Sequence, residues 1–135
     1  MARAGARRGQ PEDQIQAAVV LHLTIRAAPS VVWWYTSNGG NRSTAEAGRF
    51  KALGVKAGVP DLLVVRAGQL FALELKAPGG RVSNAQQEML AELQAAGAQT
   101  AVAFGLDEAL AEFERWGLIR GSRSSGNAVA LGEVV

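Results

Sequence analysis

Two short runs of β-forming residues separated by a two-residue turn constrain this chain more than any other stretch. Pro60 to Arg66 and Gln69 to Ala77 are rich in Leu, Val and Phe, with Ala67-Gly68 between them. That spacing reads as a hairpin. A turn centred on Ala67-Gly68 fixes its register: Arg66 faces Gln69, and each step outward pairs the next two residues, which sets Asp61 directly opposite Glu74. Opposed residues share a sheet face, with Cβ atoms roughly 4.5–5.5 Å apart. Side chains alternate along a strand, so Lys76 points to the face of Glu74, about two residue rises away. Two carboxylates and one ammonium converge on a patch of otherwise apolar strands.

Opposed like charges destabilise a sheet, and charges among Leu and Val need compensation. A divalent cation would supply it. Mg²⁺ prefers carboxylate and water oxygens, can polarise a phosphate oxygen and can lower the pKa of a bound water. Lys76 would orient the attacking water or offset charge building on the phosphate. The combination suits phosphodiester hydrolysis. Singly, each residue fits a solvated hairpin face with a Glu–Lys pair worth little. The convergence of three favours a site.

The remaining elements follow from local signals. A first helix is expected from Pro11, with Glu12 and Asp13 favouring its N-terminus and Ile15, Val19 and Leu23 forming its apolar stripe. It should end before Pro29. Val31 to Thr36 reads as a strand, Thr44 to Leu53 as a short helix stopped by Gly54, and Ser83 to Ala96 as a helix stopped by Gly97. Gln99 to Phe104 is a further strand; Asp107 is expected to cap a last helix carrying Leu110, Phe113 and Trp116. The order α-β-α-β-β-α-β-α implies an α/β fold, a mixed central sheet flanked by helices. Residues 1–10 read as a flexible basic N-terminus, 11–117 as the domain, and 118–135 as a Ser/Gly-rich tail with a weak strand near Ala128–Leu131.

Composition narrows the chemistry. The chain has 135 residues, which suits one domain. No apolar run approaches the roughly 20 residues of a membrane span, and Arg3, Arg7 and Arg8 precede no apolar stretch, so the start does not read as a secretory signal. Cysteine is absent, which excludes thiolate metal sites and fits a cytoplasmic location. His22 is the only histidine and lies mid-helix, so any metal site must be built from oxygen ligands. Residues 1–81 hold eleven Lys/Arg against five Asp/Glu, the remainder three against seven. A basic half suits a polyanion, or reflects ordinary surface clustering.

Pro60-Asp61 followed by Glu74-Leu75-Lys76 resembles the PD-(D/E)XK nuclease superfamily. The wider context resembles its VRR-NUC branch: Glu12 and Gln16 in the first helix, Gly58-Val59-Pro60-Asp61-Leu62, Glu74-Leu75-Lys76, and Ser83-Asn84-Ala85-Gln86 opening the next helix. The ordered match spans about residues 11–105. This resemblance implies a restriction-endonuclease-like core and a Mg²⁺- or Mn²⁺-dependent DNA endonuclease. It implies that Asp61 and Glu74 bind the metal, that the Leu75 carbonyl adds a ligand, and that Glu12 sits nearby, bound directly or through water. Lys76 would act on the nucleophilic water, and Gln86 would support the site. Stand-alone members in phages and bacteria imply, by analogy, a homodimer acting on branched DNA such as four-way junctions, with a helicase or the replication or packaging machinery as partner. Two rivals stand beside this reading: a nickase or general endonuclease without junction preference, and a catalytically silent nucleic-acid-binding module.

Supporting residues carry two readings each. Glu12 also simply complements a helix dipole. Gln86 completes a capping box with Ser83, yet lies on the inward stripe with Leu90 and Leu93 and could reach Lys76 or the scissile phosphate. Arg42, Arg49, Lys51, Lys56 and Asn38 are candidate DNA-backbone contacts or ordinary surface residues. Trp33, Trp34 and Tyr35 read as sheet core rather than base-stacking platforms.

Overall fold

The computed structural model describes residues 10–36 and 43–121. Its elements are α1 (Gln10–Arg26), β1 (Val32–Tyr35), α2 (Thr44–Ala52), β2 (Leu62–Arg66), β3 (Gln69–Lys76), α3 (Asn84–Ala95), β4 (Gln99–Phe104) and α4 (Leu106–Arg115). The four strands form one sheet in the order β1-β2-β3-β4. The first three are antiparallel, and β4 runs parallel to β3. A parallel neighbour needs a crossover connection, and α3 is that crossover.

The hairpin has the expected register, from Arg66↔Gln69 to Leu62↔Leu73. Its turn residues both have positive φ, 52° at Ala67 and 81° at Gly68. Such a turn matches the right-handed twist of the flanking strands.

One sheet face is dry. Leu62, Val64, Leu73 and Leu75 meet Val19 and Leu23 of α1 and Ala109 and Phe113 of α4, all at most 2% exposed. The packed core continues past the expected boundary at 117: Leu118 and Ile119 are buried, and Ile119 bridges Ala27. Arg66 donates to the Gly117 carbonyl, fixing this segment at the turn end of the hairpin. His22 is structural, its Nδ1 lying 3.2 Å from Arg26.

The opposite face is covered only in part. Gln86 of α3 bonds to Glu74 there, and α3 itself contains no fully buried residue.

Three expectations change. Trp33 packs against the core, but Trp34 and Tyr35 are 43% and 48% exposed, because β1 is an edge strand with nothing beyond it among the described residues. The last helix is capped by Gly105 at φ 100°, not by Asp107; Glu108 reaches back instead to the Phe104 N–H at 2.8 Å. α1 begins at Gln10, inside the stretch read as a flexible N-terminus. The strand expected near Ala128–Leu131, and the rest of the terminal stretches, lie outside the described residues.

Candidate active site

The site lies at the open end of the hairpin, where β2 begins and β3 ends. In an antiparallel ladder with a two-residue turn, hydrogen-bonded pairs alternate outward from Arg66↔Gln69. The next such position beyond Leu62↔Leu73 would join Pro60 to Leu75. Proline has no N–H to give. The Leu75 carbonyl therefore gets no ladder bond from Pro60, and the Pro60 carbonyl accepts from the Thr36 hydroxyl; the Leu75 N–H donates to Asp61 Oδ2 at 2.7 Å, so the aspartate side chain is held where the ladder stops. Edge strand β1 fixes the same spot from its other side. Thr36 N–H donates to the Asp61 carbonyl at 2.8 Å, and its hydroxyl to the Pro60 carbonyl at 2.6 Å.

Glu74 is 2% exposed and Lys76 9%. Lys76 Nζ stands 3.7 Å from Glu74 Oε2, at the outer limit of an ion pair. The same oxygen accepts from Gln86 Nε2 at 2.9 Å. Glu74 Oε1 is buried with no donor, and the Glu74 carboxyl lies within hydrogen-bonding reach of the Asp61 carboxyl when one of them carries a proton. Burial pushes the Glu74 carboxyl up to about 8, and the neighbouring Asp61 carboxylate adds to the effect. Burial also raises Asp61, while the bond from Leu75 opposes the rise. Two desolvated carboxylates in contact hold a proton more readily than either would alone.

Gln86 does both things the sequence allows. Its Oε1 accepts from Ser83 N–H at 2.8 Å in a complete capping box, and its Nε2 holds Glu74 rather than Lys76. Gly58 explains why α3 presents this residue. Its φ is +79°, and a Cβ there would come within 2.3 Å of the Ala85 carbonyl oxygen, so only glycine lets the loop before β2 press on the first turn of α3.

Glu12, in the first turn of α1, raises both carboxylates electrostatically. It does not complete a metal cage: among the described residues no group of three His, Cys, Asp or Glu side chains could hold an ion. The Asp61–Glu74 pair nevertheless suits a divalent cation. Mg²⁺ typically takes one or two carboxylates and keeps several waters, and the unpartnered Glu74 Oε1 is an acceptor with no donor.

Arg49, Lys51 and Lys56 are exposed on and after α2. Lys51 and Lys56 line a groove of about 690 Å³ between α2 and α3, whose other wall carries Glu88 and Glu92, so it is not uniformly basic. Asn38 and Arg42 lie outside the described residues. Two further groups lie near the site: Gln16, part of the family pattern without a stated role, and Tyr35, expected in the sheet core. The Gln16 amide nitrogen is buried without a partner, one turn after Glu12. The Tyr35 phenol is held protonated by partial burial and by Asp61, Asp13, Glu12 and Glu74, in that order. Only the pairing of β1 with β2 reveals Tyr35, and no local pattern encodes it.

The model of the VRR-NUC domain matches residues 10–106. The chain belongs to the VRR-NUC family. A solved structure described as a VRR_NUC domain protein is similar across 78% of this chain and 87% of that one, at 26% identity and a TM-score of 0.62. No curated protein matches the sequence. The fold is therefore the mixed α/β, restriction-endonuclease-like arrangement expected of a VRR-NUC domain, and the function is of nuclease type. Among the described residues no helix is long and apolar enough to cross a membrane.

Proposed function

We propose that this VRR-NUC domain is a divalent-metal-dependent endonuclease that hydrolyses DNA phosphodiester bonds at the Asp61–Glu74–Lys76 patch. The observation that carries the reading is the buried Glu74 carboxylate, with one oxygen held by Gln86 and Lys76 and the other left without a partner. Ionising this pair in the interior is costly, and without a cation the pair holds a proton instead. A cation stabilises the ionised form.

Asp61 and Glu74 would hold the ion, with Gln86 setting the Glu74 rotamer; Glu12 would act from a greater distance and the Leu75 carbonyl at the strand end. Bound there, Mg²⁺ or Mn²⁺ supplies charge neutralisation and polarisation at the phosphate. Lys76 orients the incoming water and offsets charge on the phosphoryl oxygens. Water oxygen bonds to phosphorus, the bond to the leaving sugar oxygen breaks, and the water proton passes to solvent or to a carboxylate.

A substrate with two symmetric scissile strands, such as a four-way junction, needs two copies of this site, which a C2 dimer provides. Supercoiled plasmid, linear duplex, single strand, flap and four-way junction incubated with Mg²⁺, Mn²⁺ or chelator test the whole reading. Cleavage should require metal and vanish in Glu74→Ala and Asp61→Ala. A Glu74→Ala protein as fast as wild type would remove the mechanism. The lack of symmetric nicks on the junction would leave a general endonuclease or nickase.

A further inference from the structure

Tyr35 is the last residue of β1 and pairs with Leu62, the neighbour of Asp61. The next residue, Thr36, is bonded to the Asp61 backbone, which fixes the Tyr35 backbone beside the carboxylate site; its side chain shares the face of Leu62, the side on which α1 packs, rather than that of Glu74 and Lys76. The ring is half exposed, at 48%. Its surroundings are acidic: Asp61 and Glu74 from the hairpin, Glu12 and Asp13 from the first turn of α1. The hydroxyl of this phenol, at the mouth of an acidic site and still protonated, makes no hydrogen bond to any described group.

A phosphodiester approaching this mouth passes Glu12 and Asp13 on its way to the Asp61–Glu74 pair, so the rim is acidic. Lys76, the hairpin cation at the carboxylate end, lies beside Glu74 and is only 9% exposed. A neutral donor at the rim can hold a phosphate oxygen without competing with a cation for the carboxylates, and tyrosine hydroxyls commonly donate to nucleic-acid phosphates. We propose that Tyr35 is a substrate-binding residue whose hydroxyl donates to a non-bridging phosphate oxygen of the nucleic-acid strand entering between the first turn of α1 and the start of β2. The assignment rests on the nuclease reading above and adds the group that receives the backbone.

The test uses the full chain with Mg²⁺ and an oligonucleotide that the wild type cleaves, comparing wild type, Tyr35→Phe and Tyr35→Ala. Because the ring is half exposed, Tyr35→Phe should melt with the wild type. It should lose about ten- to a hundredfold in kcat/KM, the range of one hydrogen bond to a charged oxygen. Substrates carrying single methylphosphonates near the cut should show one position whose penalty, large for wild type, nearly disappears in Tyr35→Phe. Anisotropy of the same labelled DNA in chelator reads binding apart from cleavage and should weaken in Tyr35→Phe. If wild type cleaves and Tyr35→Phe equals it in every readout, the assignment falls while the nuclease stands. If only Tyr35→Ala is impaired, the ring rather than the hydroxyl makes the contact, and the assignment falls likewise. If wild type neither binds nor cleaves DNA, both readings fall.

Discussion

At its C-terminal end β3 is buried on both faces, and the two are chemically opposite. Leu73 and Leu75 are 0% and 2% exposed, Glu74 and Lys76 2% and 9%. The leucines face α1 and α4 and gain from leaving water, roughly 1.5–3 kcal/mol for each buried side chain. The charged pair gains nothing comparable. Its separation is long, one oxygen has no partner, and the carboxyl is pushed toward its neutral form. The difference teaches that burial on this strand serves two ends: one face stabilises the domain, and the other sacrifices some stability to hold a desolvated carboxylate pair in place.

Substitutions on the two faces should separate those ends. Leu73→Ala leaves a cavity in a packed core and should cost about 2–5 kcal/mol in urea unfolding. Glu74→Gln replaces a largely protonated acid by a neutral group of the same shape, and at pH 7 it should leave stability within about 1 kcal/mol of wild type while abolishing cleavage. If Glu74→Gln unfolds as readily as Leu73→Ala, the polar face is structural and the contrast collapses.

The same contrast predicts a pH dependence. Glu74 keeps its proton up to about pH 8 in the folded chain, against an ordinary value of 4.5, so the folded state binds more protons than the unfolded state in between. Its contribution to stability is complete below about pH 4.5 and is lost as pH rises through about 8. Unfolding in chelator at several pH values should show this loss, and Glu74→Gln should flatten it. Mg²⁺ should reverse it, since the ionised pair is the form that binds a cation.

Smaller effects come from the support of each face. Gln86→Ala removes both a cap bond and the bond to Glu74, and should weaken Mg²⁺ affinity by about 10–100-fold, as read by metal-dependent melting. Ser83→Ala removes only the cap and should cost about 1 kcal/mol of stability with little loss of metal affinity. Equal metal responses of the two variants would mean that the Gln86–Glu74 bond is incidental. The smallest change lies at the far end of the hairpin. Ala67 sits at φ 52°, a region costly for any residue with a Cβ, so Ala67→Gly should stabilise by up to about 1 kcal/mol and leave cleavage unaltered.

How far these features could be read from the sequence depends on sequence distance. The hairpin, its register and the meeting of Asp61, Glu74 and Lys76 were legible because a two-residue turn fixes every pairing that follows it. The helices were legible through apolar stripes and through the Ser-x-x-Gln cap; the motif order from Glu12 to Gln86 pointed to the VRR-NUC family, which the domain match bears out. Asp107 was misread as a cap because a glycine at positive φ ends the preceding strand and lets Glu108 reach back.

The tertiary structure alone decided what the non-local contacts control. Trp34 and Tyr35 have the composition of core residues, and only the place of β1 at the sheet edge exposes them. Gly58 stood in the sequence only as a motif position, and its reason came with α3, which packs on it at a distance that no side chain permits. The Asp61–Glu74–Lys76 patch was determined by the sequence as a set of neighbours. Its burial, the single unpartnered oxygen and the Gln86 bond that aims it depend on α3 folding back across the sheet, a contact that alternation and turn chemistry do not encode.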